Sequence, residues 1–153
     1  MNAVHLHLAI NHSPLYAEMF GFALLLIGTI IRNRSVATTA LFVAIVAALC
    51  AIGADVSGDQ AADIIDHSPA IAGVEKNLIG PHDEAAGYFL VAACVTGALA
   101  MAALIVGRKK DVRPRWIEMV VLIALLVSLL AAARTALLGG RIHHPEVRAV
   151  VSG

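Results

Sequence analysis

Residues 36–54 read Val36-Ala37-Thr38-Thr39-Ala40-Leu41-Phe42-Val43-Ala44-Ile45-Val46-Ala47-Ala48-Leu49-Cys50-Ala51-Ile52-Gly53-Ala54, without one charged side chain. A bilayer core is spanned by roughly 20 apolar residues, and because lipid offers no partner to backbone N–H and C=O groups, such a run must be helical. Residues 15–31, 85–106 and 116–138 are of the same kind and almost free of charge. The whole chain is 59% hydrophobic and 14% charged, with a mean hydropathy of +0.83, which excludes an ordinary soluble domain. The expected fold is all-α: one integral-membrane four-helix bundle spanning at about 14–31, 36–54, 82–106 and 115–138, with a connection over 55–81.

The punctuation between the runs agrees. Ser13-Pro14, Gly80-Pro81 and Pro114 can open the first, third and fourth spans, since proline is tolerated in a first helical turn. Ser35 is a candidate N-cap for the second span. Asp83 and Glu84 are expected in the first turn of the third, where the helix dipole favours acids. Gly139-Gly140 can close the fourth. No basic segment precedes the first span, so it is expected to be retained rather than cleaved. Basic residues in short loops mark the cytoplasmic side. Arg32 and Arg34 follow the first span, and Arg108, Lys109, Lys110, Arg113 and Arg115 follow the third. Both termini and the 55–81 connection are then expected outside, with the protein a multi-pass component of a bacterial inner membrane. Formal net charge is zero and there is no basic tail, so nucleic acid is not an expected partner.

On this topology all seven histidines, His5, His7, His12, His67, His82, His143 and His144, fall on the outer side. Imidazole is the commonest metal-ligating side chain, and its gathering at one face points to a bound metal or haem. His7 and His12 would stand about 140° apart on one continuous helix, at ~100° per residue. Either Pro14 starts the helix and the preceding residues fold separately, or the two rings serve different ligands. Asp59, Asp63 and Asp66 share a face opposite Ile64 and Ile65, which reads as a short amphipathic helix on the membrane surface, with Asp63 and His67 adjacent on a solvated face. His82 opens the third span, and Asp83 or Glu84 could orient an imidazole. Arg134 lies inside an apolar span and invites pairing with Glu18 or with a haem propionate, as does Arg141 with the latter. Cys50 and Cys94 lie inside spans two and three and read as small buried packing residues.

His7-x4-His12-x-Pro14 at the first span, a histidine at the third, and Gly139-Gly140-x-Ile142-x-His144-Pro145-Glu146 after the fourth resemble an uncharacterised bacterial family of small four-helix membrane proteins. The resemblance covers nearly the whole chain through a few short motifs. Relatives in that group occur beside or fused to cytochrome c or Rieske-type modules, which implies redox work. The resemblance singles out His7, His12, His82 and His144, supported by Pro14, Gly139, Gly140, Pro145 and Glu146. It does not cover His5, His67 or His143, and His143 stands where relatives often carry arginine, so either His143 or His144 is the ligand of that pair.

Three functions follow as expectations. The first is a haem b electron-transfer protein, with one or two haems held by His7, His12, His82 and His144 and propionates on Arg134 and Arg141. The second is a copper, zinc or iron site using the same histidines with Glu84 and Glu146. The third is an accessory subunit of a larger respiratory complex. An electron carrier or cofactor-binding subunit is favoured over a stand-alone enzyme, since no Cys-x-x-Cys-His, P-loop, Gly-x-Ser-x-Gly or His-Glu-x-x-His motif is present. Expected partners are membrane lipid, a periplasmic or membrane redox protein, and further copies or subunits.

Overall fold

The computed structural model describes residues 3–68, 75–109 and 114–144. The described residues are all-α: α1 (Ala3–Ile10), α2 (Ser13–Ile30), α3 (Arg34–Asp66), a 3-10 turn (Lys76–Leu78), α4 (Ile79–Lys109) and α5 (Arg115–His143). Four segments are long and apolar enough to cross a membrane: Ala3–Ile30, Arg34–Asp66, Lys76–Arg108 and Arg115–Ile142. The long helices pack in a ring, α2 on α3, α3 on α4, α4 on α5 and α5 back on α2, while α1 leans on α3. Large apolar side chains face outward, Phe20 at 67%, Ile30 at 70%, Trp116 at 65% and Leu130 at 63% exposure, as helices in hydrocarbon require.

Where the helices meet, small residues let their backbones approach. One end of the bundle is closed by Leu25, Leu41, Val121 and Leu125 packed among Ala37, Ala40, Ala44, Ala100 and Ala103. A Cβ on Gly28 would stand 2.7 Å from the Ala37 backbone nitrogen, so only glycine lets α2 and α3 cross there. The α2–α3 turn is correspondingly tight. Arg32 takes φ 57, and Asn33 N–H donates to Gly28 O at 2.9 Å, the six-to-one bond of a Schellman closure. Asn33 Oδ1 then accepts from Val36 N at 3.1 Å, so the N-cap of α3 is Asn33 rather than Ser35. Arg34 Nη2 donates to Gly107 O at 2.6 Å and ties this end to α4.

Several boundaries differ from expectation. α3 runs unbroken for 33 residues, about 50 Å at ~1.5 Å per residue, against a hydrocarbon core of ~30 Å. The segment expected to form a separate surface helix is therefore the last turns of α3, projecting beyond the apolar run. Its face is solvated as expected, with His67 Nδ1 3.4 Å from Asp63 Oδ1 and both side chains exposed. Lys76 Nζ donates to Ile65 O at 2.7 Å and Ser68 O at 3.2 Å, satisfying carbonyls at the end of α3. Glu75 N–H donates to Ile142 O at 3.1 Å and fastens the same connection to α5. α4 starts at Ile79, which moves Asp83 and Glu84 beyond its first turn. Gly139 and Gly140 do not end α5, which continues to His143 and is capped by His144. Cys50 is half-buried and Cys94 is exposed on the bundle exterior, so Cys94 is not a buried packing residue; both are free thiols.

Gly28→Ala should destabilise the fold by about 1–3 kcal/mol through overpacking against Ala37. Gly87→Ala, where nothing lies within 4 Å, should be neutral or stabilising by up to ~1 kcal/mol. Ellipticity during denaturant titration in detergent measures both. Equal effects at the two sites would refute the close-approach account.

Candidate functional site

The chain breaks between α1 and α2 because Ser13 and Pro14 restart the helix. Pro14 is in the first turn, and Ser13 Oγ donates back to Ile10 O at 2.6 Å. The first of the two alternatives for His7 and His12 therefore holds: the residues before Pro14 fold as a separate helix. That break swings α1 against the projecting turns of α3. His7 Nδ1 consequently lies 3.1 Å from Ala54 O and 3.2 Å from Ser57 Oγ, while the Ser57 hydroxyl itself donates to Ala54 O at 3.0 Å. Across the bundle, His82 Nδ1 donates to Thr135 O on α5 at 3.1 Å.

A carbonyl oxygen can only accept, so each Nδ1 carries a proton, and the neutral form of each ring has its lone pair on Nε2. Among the described residues neither Nε2 has a hydrogen-bond partner. A glycine seats each ring. A Cβ at Gly58 would lie 3.1 Å from His7 Cε1, and one at Gly139 would lie 3.0 Å from His82 Cε1. Gly139 thus serves ring packing inside α5 rather than helix termination, while a Cβ on Gly140 would meet nothing within 4 Å.

Both rings line a cavity of about 560 Å³ at the end of the bundle opposite the leucine plug. His12 and His144 line it too, both on exposed positions; His12 also stacks edge-on with Tyr16 at 6.4 Å between centroids. The four histidines singled out by motif therefore converge on one cavity. Its apolar wall includes Leu15, Ile65, Phe89, Leu90 and Ile142, and its polar wall adds Asn11, Asp55, Asp59 and Asp83.

Other expected site residues are placed elsewhere. Arg134 is exposed on α5 beside Tyr88 and Leu130, and Arg141 is half-buried; neither lines the cavity. Glu84 is exposed and accepts from Tyr88 Oη at 3.4 Å, so it orients no imidazole. Glu18 does not pair with Arg134. It is fully buried, and Ser128 Oγ donates to its Oε1 at 2.8 Å. The reason is angular: Arg134 follows Ser128 by six positions, about 240° round the helix. His67 stands on the solvated face of α3, and Glu146 and Pro145 lie outside the described residues. Among the described residues, no three His, Cys, Asp or Glu side chains are grouped to hold one metal ion.

Ser57, Gly58, Thr135 and Asp55 were not expected at the site. A stripe of small residues, Ala47, Ala51, Ala54, Gly58, Ala61 and Ala62, continues at helical spacing past the apolar run and is the signal that locates the first two. No family model, curated protein or solved structure matches the chain.

Gly139→Val should drive the His82 ring off the Thr135 carbonyl and leave His7 unaffected. Imidazole 15N chemical shifts, which separate Nδ1–H from Nε2–H rings, should show both histidines as Nδ1–H in the parent and only His7 so in the variant. An Nε2–H signature at both sites in the parent protein would refute the seating.

Proposed function

We propose that the cavity is a cofactor pocket and that the protein is a membrane-embedded haem b carrier of single electrons, with His7 and His82 as its iron ligands. The observation that carries this is the matched pair of imidazoles, each held by Nδ1–H on a backbone carbonyl with Nε2 unshared. That is the arrangement by which proteins fix the tautomer and raise the basicity of a metal-ligating histidine. Haem takes one or two axial histidines and otherwise wants an apolar slot, so two prepared rings suffice where an ion would need more ligands. The volume of about 560 Å³ falls within the ~300–1,000 Å³ of small-molecule sites, and Leu15, Ile65, Phe89 and Leu90 offer apolar contact. The resemblance to cytochrome-associated membrane proteins points the same way.

When bound, haem would supply the ferrous–ferric couple. The chain's own part is to hold the two ring nitrogens, to exclude water with the apolar wall, and to present the site at one membrane face. His12 and His144, exposed at the cavity, remain for a second ligand or for docking a redox partner. Propionates would find Asn11 and backbone groups there rather than Arg134 or Arg141. By the positive-inside rule, Arg32, Arg34 and Arg108 favour a cytoplasmic plugged end, which would turn the cavity toward the periplasm of a bacterial inner membrane.

A second reading, a copper, zinc or iron ion, is favoured by one feature: Asp55, Asp59 and Asp83 give the cavity an acidic lining with no lysine or arginine among the described residues. Visible spectra and metal analysis of the protein purified from its native membrane in mild detergent separate the two. Haem b predicts a Soret band and sharp reduced α-bands, lost in His7→Ala and His82→Ala and kept in His5→Ala. Gly139→Val should weaken retention by ~10–100-fold, as loss of an orienting contact does. Stoichiometric metal without those bands would establish the ion instead. Neither haem nor metal would leave the accessory-subunit function.

A further inference from the structure

Glu18 is the one carboxyl among the described residues with no exposed surface, and it sits inside a membrane span. An intramembrane ionisable residue normally faces a partner. Here the partner is a single hydroxyl, Ser128 Oγ donating at 2.8 Å to Oε1, and Oε2 is buried with no hydrogen-bond partner among the described residues. A carboxylate wants several donors, and leaving a full charge in a dry interior with one neutral hydroxyl costs more than protonating it. Ser128 satisfies one oxygen and leaves the other to carry a proton.

The cavity lies on one side of that carboxyl. Pro14 and Leu15, one turn before Glu18 on α2, line the cavity, as does Ala132, one turn beyond Ser128 on α5. The carboxyl therefore lies one helical turn beneath the cavity floor. Below it, Leu25, Leu41 and Leu125 are fully buried and close the other direction. The titratable groups that the packed elements present on the open side are His7 from α1, Asp55 and Asp59 from α3, His82 and Asp83 from α4, His12 before α2 and His144 after α5. None is a fixed cation that would hold Glu18 ionised, and the exposed Arg134 points away.

We propose that Glu18 is an intramembrane proton-binding site that exchanges its proton with water through the histidine-lined cavity alone. The inference is independent of what the cavity holds. Chemically it is a proton donor and acceptor set against whatever charge arrives above it: an added negative charge in the cavity draws the proton in, and a positive one expels it. A carrier whose occupant changes charge would have here the means to neutralise that change inside lipid.

Infrared spectra of the intact protein in detergent test this. A carboxyl in water is ionised at pH 7, so a protonated-carboxyl C=O band that Glu18 carries should be present in the parent, absent in Glu18→Gln, and shifted in frequency in Ser128→Ala. Transfer into deuterium oxide should shift the parent band. Ala136→Leu, which narrows the cavity wall, should slow that shift severalfold while the band itself remains. A parent protein without the band, or a band that survives Glu18→Gln, would overturn the proposal. An exchange rate unchanged by Ala136→Leu would overturn the route through the cavity.

Discussion

The cavity half of this bundle depends on two imidazole-to-carbonyl hydrogen bonds, His7 to Ala54 and His82 to Thr135. In water each would exchange almost evenly with solvent and add little. Here each crosses between helices at the level where the apolar runs give out. Each also has a glycine beneath the ring, Gly58 for His7 and Gly139 for His82, where a Cβ would stand only 3.1 and 3.0 Å from the ring and push it by a few tenths of an ångström. The consequence is geometric: α1 is clasped to α3 and α4 to α5, and space remains among the four where alanines and leucines would otherwise meet.

Much of this is legible in the sequence, and what escapes does so for definable reasons. Four charge-free runs are enough to require four helices, because the bilayer leaves the backbone no other way to satisfy itself. The convergence of His7, His12, His82 and His144 is legible once the topology is, since helix number fixes which segments share an end. Less legible is where helices stop. Gly139-Gly140 reads as a terminus, yet α5 passes through it, because close packing of a ring and helix termination both select glycine. The polar turns after Ala54 likewise read as a connection carrying a separate surface helix, although the small-residue stripe through Gly58 and Ala61 continues the α3 face. Polarity marks where a helix leaves lipid, which need not be where it ends.

Side-chain partnership is less legible still. Glu18 and Arg134 invite pairing because both are charges in apolar runs at similar depth. Depth fixes only one coordinate. The angle round each helix puts Ser128 inward and Arg134 outward, and no composition-based argument recovers that angle without the core positions Leu125 and Ala132 as reference. Once those are known, Ser128 follows at helical spacing between them, and Glu18 has a hydroxyl rather than a cation.

The two ends of the bundle therefore differ in kind, and the difference dictates how any chemistry must proceed. From Glu18 to Leu25 is seven positions along α2, about 10 Å at ~1.5 Å per residue, and the layer reached is closed by Leu25, Leu41 and Leu125, all without exposed surface. A charged or hydrated species entering by the cavity meets that layer as a dead end. A through-channel is thus inconsistent with the packing, whereas storage and return at one face are consistent with it. The same asymmetry explains why the carboxyl can be tolerated so deep. With the leucine layer beneath it and Ser128 the hydrogen-bond partner beside it among the described residues, Glu18 reaches neutrality by keeping a proton, and the polar groups one turn above it are those that line the cavity.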